Sequence, residues 1–182
     1  MSIINVVGAK IWGGGEQYVY DICKQLQQRH RTAYILVDQS NEDMQSRYAQ
    51  VGHVMTANLY TLKGFLSVNA VAKQVKEQGI NTIVCHSGKY ILFCIALKQL
   101  TGAKLVFIKH NLVPGKTDMY HRWINAQVDA FVCVSKLVYD DLMTPVIKDT
   151  SKYHVVHNGI DPNRFQSFSD AVPMKSKVRT FG

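Results

Sequence analysis

The sequence holds no apolar run near the length of a membrane span; its most apolar stretch, Tyr90–Leu97, is far shorter than the ~20 residues a spanning helix needs. Cysteine is scarce and unpatterned. Cys23, Cys85, Cys94 and Cys133 show no Cys-x-x-Cys spacing, and each stands in an apolar strand or helix pattern, where a free thiol packs as a small hydrophobe. Residues 1–7 carry a strand signal with no basic lead or cleavage pattern, so no secretory signal is visible. These absences predict a cytoplasmic protein, soluble or peripheral at the inner membrane face. Acidic residues are also few, 13 against 21 Lys and Arg, giving a formal charge of +8. The basic residues are scattered, with no run such as a nucleic-acid arm carries. The charge therefore suits a basic crevice for anionic ligands, or a face against acidic lipid.

What is present is organised around its amino-terminal stretch. Ile3, Ile4, Val6 and Val7 read as a buried strand, and Val19, Ile22, Cys23 and Leu26 repeat at helical spacing over Tyr18–Gln28. Between them lie Gly13, Gly14 and Gly15, which allow positive φ and close backbone approach to a ligand. Free N–H groups at the start of the next helix suit a phosphate. A tight strand-to-helix turn with nothing bound is the alternative, but three adjacent glycines exceed what that geometry needs.

Strand and helix then alternate. Strands are predicted at 33–37, 53–57, 81–85, 104–108, 129–134 and 153–156. Helices are predicted at 65–78, 90–100, 118–127 and 136–143, with a short helix or loop within 40–50. Gly79 and Gly102 close two helices, Ser135 caps another and Pro145 ends it, and Met119, Trp123 and Ile124 are expected to point inward. The class is α/β: a Rossmann-like parallel sheet with helices on both faces. Residues 166–177 have linker composition and 177–181 look like a strand beginning. The chain is therefore expected to be a domain over 1–165, with 166–182 an interdomain linker and the start of a missing second domain.

In such sheets ligands sit beyond the carboxyl ends of the strands, at the point where the winding reverses. The residues there are Gly13–Gly15, Asp38, His86 with Ser87, Lys109-His110-Asn111, Ser135 with Lys136, and His157-Asn158. Ser87 and Ser135 are explained as helix caps and Asp38 as a turn residue. His110 differs. It ends the apolar run Leu105–Ile108 and precedes a Pro114-Gly115 turn, where an imidazole can move a proton or hydrogen-bond a sugar hydroxyl; a satisfied core histidine is the alternative.

The glycine turn is neither G-x-G-x-x-G nor a P-loop, since Gly14-Gly15 stand where the P-loop Lys and Ser/Thr would be. Neither Val134-Ser135-Lys136 nor His86-Ser87-Gly88 has the flanking glycines of a nucleophile elbow. The histidines are dispersed, Asp140-Asp141 falls inside a helix, and no metal site is predicted.

The first strand with Gly13-Gly14-Gly15-Glu16, then Val134-Ser135-Lys136, then Val155-Val156-His157-Asn158-Gly159-Ile160-Asp161 and Phe165, resembles the amino-terminal domain of GT-B glycosyltransferases of family 4. The resemblance implies the acceptor-side half of a two-domain, retaining, metal-independent hexosyltransferase. Its donor would be a nucleotide-diphosphate sugar and its acceptor a glycan or lipid-linked glycan, with no further cofactor. Gly13, Gly14, Gly15 and Glu16 would approach the donor diphosphate, and His110 would lie near the reacting sugar. His86, Ser87, Lys109, Asn111, Ser135, Lys136 and Asn158 would border the cleft. The family's carboxy-terminal donor domain is absent from the sequence, so this chain alone is expected not to turn over. Acceptor loops are expected within 41–50, 58–64 and 111–116. Lys63, Lys73, Lys76, Lys116 and Arg122 either seat the domain on acidic lipid or are ordinary solvated residues. Two other readings stay open: a non-catalytic nucleotide or phosphosugar-binding module, and a nucleotide-sugar epimerase of the same two-domain plan.

Overall fold

A computed structural model describes residues 2–60, 62–143 and 150–159, with the backbone alone for 62–65. The readings placed on Pro145, on Ile160, Asp161 and Phe165, on the 166–182 tail and on the Lys63 side chain lie outside those residues. The strands are β1 (Ile3–Val7), β2 (Tyr34–Asp38), β3 (His53–Ala57), β4 (Thr82–Cys85), β5 (Lys104–Lys109), β6 (Ala130–Cys133) and β7 (Tyr153–Val155). The helices are α1 (Gly14–Gln28), α2 (Glu42–Tyr48), α3 (Leu62–Glu77), α4 (Ile91–Thr101), α5 (Met119–Gln127) and α6 (Lys136–Leu142). The seven strands run parallel in the order β3-β2-β1-β4-β5-β6-β7. This is the predicted α/β class, and it places the reversal of winding between β1 and β4.

Strand alternation sorts the core into two layers. Ile4, Val6, Tyr34, Leu36, Ile83, Cys85, Leu105 and Phe107 pack on one side with apolar residues of α3, α4, α5 and α6. Val7, Ile35 and Val37 turn to the other side, against Val19 and Cys23 of α1 and Met44 and Tyr48 of α2. Apolar residues on both faces explain why the strands read as continuous hydrophobic runs. All four cysteines are buried and free, packed as expected. Among the described residues no helix is long and apolar enough to cross a membrane.

Helix ends follow their local chemistry. Gly79 and Gly102 adopt φ of +63° and +74°, the left-handed conformation that closes a helix cheaply only at glycine. Asn41, Asp118 and Ser135 each accept a backbone N–H at the start of a helix.

Three expectations need correction. The first helix begins at Gly14 rather than Tyr18, so Gly14 and Gly15 belong to its first turn. Gly13 sits in extended backbone (φ −141°, ψ −168°), and positive-φ glycines among the described residues are Gly79 and Gly102, not Gly13–Gly15. On α5 only Ile124 is buried; Met119 is 87% and Trp123 49% exposed, because the helix rests on the sheet through a narrow stripe.

Candidate functional site

The loop from β1 to α1 is held by side chains rather than by unusual backbone. The Asn41 Nδ2 donates to the carbonyls of Ala9 (2.9 Å) and Lys10 (3.4 Å). Trp12 donates to Gln17 Oε1 (3.2 Å), packs its ring 5.3 Å from that of Tyr48, and carries the Arg47 guanidinium at 4.9 Å. Tyr48 in turn donates its hydroxyl to the Glu16 carbonyl at 2.9 Å. These contacts fix the start of α1 in space.

At that start the Gly13 N–H donates to the Glu16 carboxylate (3.1 Å). Gln17 N–H reaches the Gly13 carbonyl (3.0 Å), the first bond of the helix. The N–H groups of Gly14, Gly15 and Glu16 precede that bond, have no acceptor within the helix, and lie at the positive end of its dipole. A Cβ on Gly14 would meet nothing within 4 Å, and on Gly15 it would lie 3.9 Å from the His110 ring. Glycine thus leaves the helix start bare beside His110.

Register explains which polar groups gather there. Val84 of β4 is level with Asn5 of β1 and with Val106 of β5. Alternation therefore sends Asn5, His86 and His110 to the α1 face of the sheet. His86 Nε2 lies 3.1 Å from Asn5 Oδ1, and His86 Nδ1 lies 3.1 Å from His110 Nε2. The Tyr18 ring stands edge-on to both imidazoles, 5.2 Å from His110 and 6.4 Å from His86. Burial pushes the pKa of His86 down to about 3, reinforced by His110, and burial also lowers that of His110. Both rings are neutral at pH 7. Burial raises the Tyr18 pKa as well, so its phenol keeps its proton.

The same alternation separates Lys109 from its neighbour. Its ammonium lies 4.8 Å over the Phe107 ring, on the α4 side of the sheet, and burial lowers its pKa despite the opposing influence of Cys133 and Cys85. Ser87 and Ser135 cap the turns that follow β4 and β6, accepting from Lys89 (3.3 Å) and Val138 (3.2 Å). Lys136 pairs with Asp140 one helical turn on, at 2.9 Å, on an exposed face. Asn111 and Asn158 are exposed at the ends of β5 and β7. Asp38 holds a turn, accepting from the N–H groups of Ser40 and Leu59, each at 3.0 Å. Burial opposes its ionisation, but those bonds and the Lys10 charge outweigh it and lower the pKa.

The residues brought together are therefore Gly13–Gly15, Glu16, His86 and His110, with Ser87, Lys109, Asn111, Ser135, Lys136 and Asn158 spread along the same carboxyl edge. Sequence reasoning missed Asn5 and Tyr18. A signal existed for Asn5, a lone polar residue inside Ile3–Val7. A separate pocket of about 430 Å³ lies at the opposite, amino-terminal edge of β2 and β3, lined by His30, Arg31 and His53 among others.

The model of glycosyltransferase family 4 matches residues 12–164. No curated protein sequence matches the chain. Among solved structures, a glycosyltransferase from Rickettsia africae superposes over 94% of the chain with a TM-score of 0.79 at 18% identity, the match taking in 46% of that protein. Anabaena Alr3699/HepE, solved with UDP-glucose, superposes over 91% with a TM-score of 0.70 at 18% identity, again with 46% of its length. MurG of Acinetobacter baumannii superposes over 88% with a TM-score of 0.61 at 12% identity and 47% of its length. The chain thus spans a little under half of the solved structures it is similar to.

Proposed function

Because this chain belongs to glycosyltransferase family 4, we propose that it forms the acceptor-side half of a retaining, metal-independent hexosyltransferase completed by a donor-binding domain in a longer parent. The observation that carries this reading is the open N-terminus of α1 beside His110. Three first-turn amides without an acceptor in the helix suit a diphosphate, and the imidazole beside Gly15 would meet the sugar attached to it. Glu16 holds the Gly13 amide and so orients the first turn. The UDP-glucose held by the Anabaena relative supports a nucleotide-sugar donor. Residues 1–165 are the folded unit in this reading, and 166–182 lead into the second domain.

Titrating UDP-, GDP- and ADP-sugars into the parent should give saturable binding and sugar transfer with one of them. The 182-residue chain alone should give no steady turnover, because losing even one group that stabilises the leaving charge costs about a hundredfold or more. Steady turnover by the isolated chain would overturn the two-domain reading. A parent that binds donor without transferring it would favour a non-catalytic binding module.

The acceptor in this proposal is a glycan or lipid-linked glycan met at the membrane surface. Leu112, Val113, Met119, Tyr120 and Trp123 are all exposed on the β5–α5 segment that also carries Lys116 and Arg122. Apolar tips among cations suit an anionic bilayer. Lys73 is a weaker candidate, since it lies 3.8 Å from Glu77 on α3. Flotation with vesicles rich in anionic lipid should carry the chain upward at low salt and less at moderate salt, as screening grows. Binding that Met119→Ser with Trp123→Ser leaves unchanged would remove this segment from the contact.

A further inference from the structure

His110 uses Nε2 toward His86, and no described residue is bonded to its Nδ1. What that second nitrogen can do depends on where one proton sits, and the chain of contacts leading inward decides it. Asn5 is only 5% exposed in the central strand. Its Oδ1 faces His86 Nε2 at 3.1 Å, and its Nδ2 faces the Cys23 sulfur at 3.9 Å. Burial raises the Cys23 pKa to about 12, so the sulfur is a neutral thiol, a weak partner on either side of a hydrogen bond.

We propose that Asn5 and His86 are positioning residues that fix the tautomer of His110: Asn5 Oδ1 accepts from His86 Nε2–H, His86 Nδ1 accepts from His110 Nε2–H, and His110 Nδ1 is left as an acceptor for a substrate hydroxyl. A neutral imidazole has one proton, so each link dictates the next. Rotating the Asn5 amide would reverse every link and put both protons on Nδ1. The observed orientation instead gives each ring its proton on Nε2, the nitrogen that carries it preferentially in a free neutral imidazole. It also directs the stronger acceptor of Asn5 at the N–H and leaves the weak thiol to the amide. From α1, Tyr18, with its proton held, and Gly15, which has no side chain, face the two rings. Neither is a charge that would compete for the proton. Burial, which lowers the pKa of both histidines, fits a pair that must stay neutral to work.

This assignment deepens the proposed role of His110 but is tested apart from it, on the 182-residue chain without donor. Long-range ¹⁵N–¹H spectra at pH 7 should show His86 and His110 both as single Nε2–H tautomers. Asn5→Leu should turn the His110 signal into an average of two tautomers. Asn5→Asp, whose carboxylate can only accept, should restore the single one. A wild-type Nδ1–H signal at either residue would overturn the proposal, as would an unchanged His110 in folded Asn5→Leu. Should that variant fail to fold, the wild-type and Asn5→Asp spectra still decide the matter. A parent enzyme that transfers no sugar would leave these spectra unaltered and would count against the glycosyltransferase reading alone.

Discussion

In the parent enzyme, His110→Ala is expected to lower kcat for sugar transfer by about two to four orders of magnitude, the range that positioned proton-transferring groups supply, while KM for the nucleotide sugar changes by no more than a few fold. The split follows from where the proposed contacts sit. The diphosphate would be held by amides of Gly14, Gly15 and Glu16, whose placement depends on Trp12, Asn41 and Tyr48 and not on His110. His110 itself is half-buried beside His86 and Tyr18, and truncating it opens space toward solvent, so the fold should survive. A raised KM with kcat unchanged would show that His110 acts through ground-state binding. A kcat within threefold of the unaltered enzyme would remove it from the reaction. Gly15→Ala is a useful companion, because its new methyl would sit 3.9 Å from the ring without a clash, and its effect should stay small unless the ligand needs that space.

Much of this architecture was readable from residue patterns. β3 coincides with its expected span, and Gly79 and Gly102 close their helices in the conformation that glycine alone adopts without strain. Residue patterns start α1 too late, at Tyr18 rather than Gly14, because glycine disfavours helix. Here the turn is imposed from outside by Asn41 and Tyr48, some 32 positions away in sequence. On α5 the period was right and the facing wrong. A helix of nine residues that buries only Ile124 leaves too few apolar contacts for periodicity to choose a side.

The site divides in the same way. His110 and His86 follow from the rule of strand ends, whereas their meeting depends on β4 lying between β1 and β5, which is topology and not composition. The Asn5–His86 contact joins positions 81 apart. Adjacency in sequence pairs Lys109 with His110, yet alternation sends neighbours on a strand to opposite faces, and Lys109 lies over Phe107 instead. Family membership then supports the proposed reaction class, which no single residue here carries alone.

The buried histidine pair also sets how the fold answers acid. His86 has a pKa near 3 in the folded chain against 6.5 when free, so between those values the unfolded chain binds a proton that the native one refuses. Stability must therefore fall as pH drops below 6.5, at up to ~1.4 kcal/mol per pH unit, and is fully present above it. Crossing the whole window would cost on the order of 5 kcal/mol, a large part of the 5–15 kcal/mol typical of a domain. His110, its pKa lowered by burial, adds to the loss in the same direction. Asp38 and Asp129 behave differently: bonds from backbone N–H groups and cations lower their pKa against burial, so their contribution fades only as pH falls through and below the ordinary carboxylate range. Urea unfolding of the 182-residue chain should thus show its midpoint declining from pH 6.5 to pH 4.5, above the carboxylate window. His86→Gln, which has no proton to gain, should start lower at pH 7 and decline less steeply. A midpoint constant from pH 7 to 4.5 in the unaltered chain would mean that the imidazoles are hydrated and titrate normally, and the ordered chain from Asn5 to His110 would lose its physical basis.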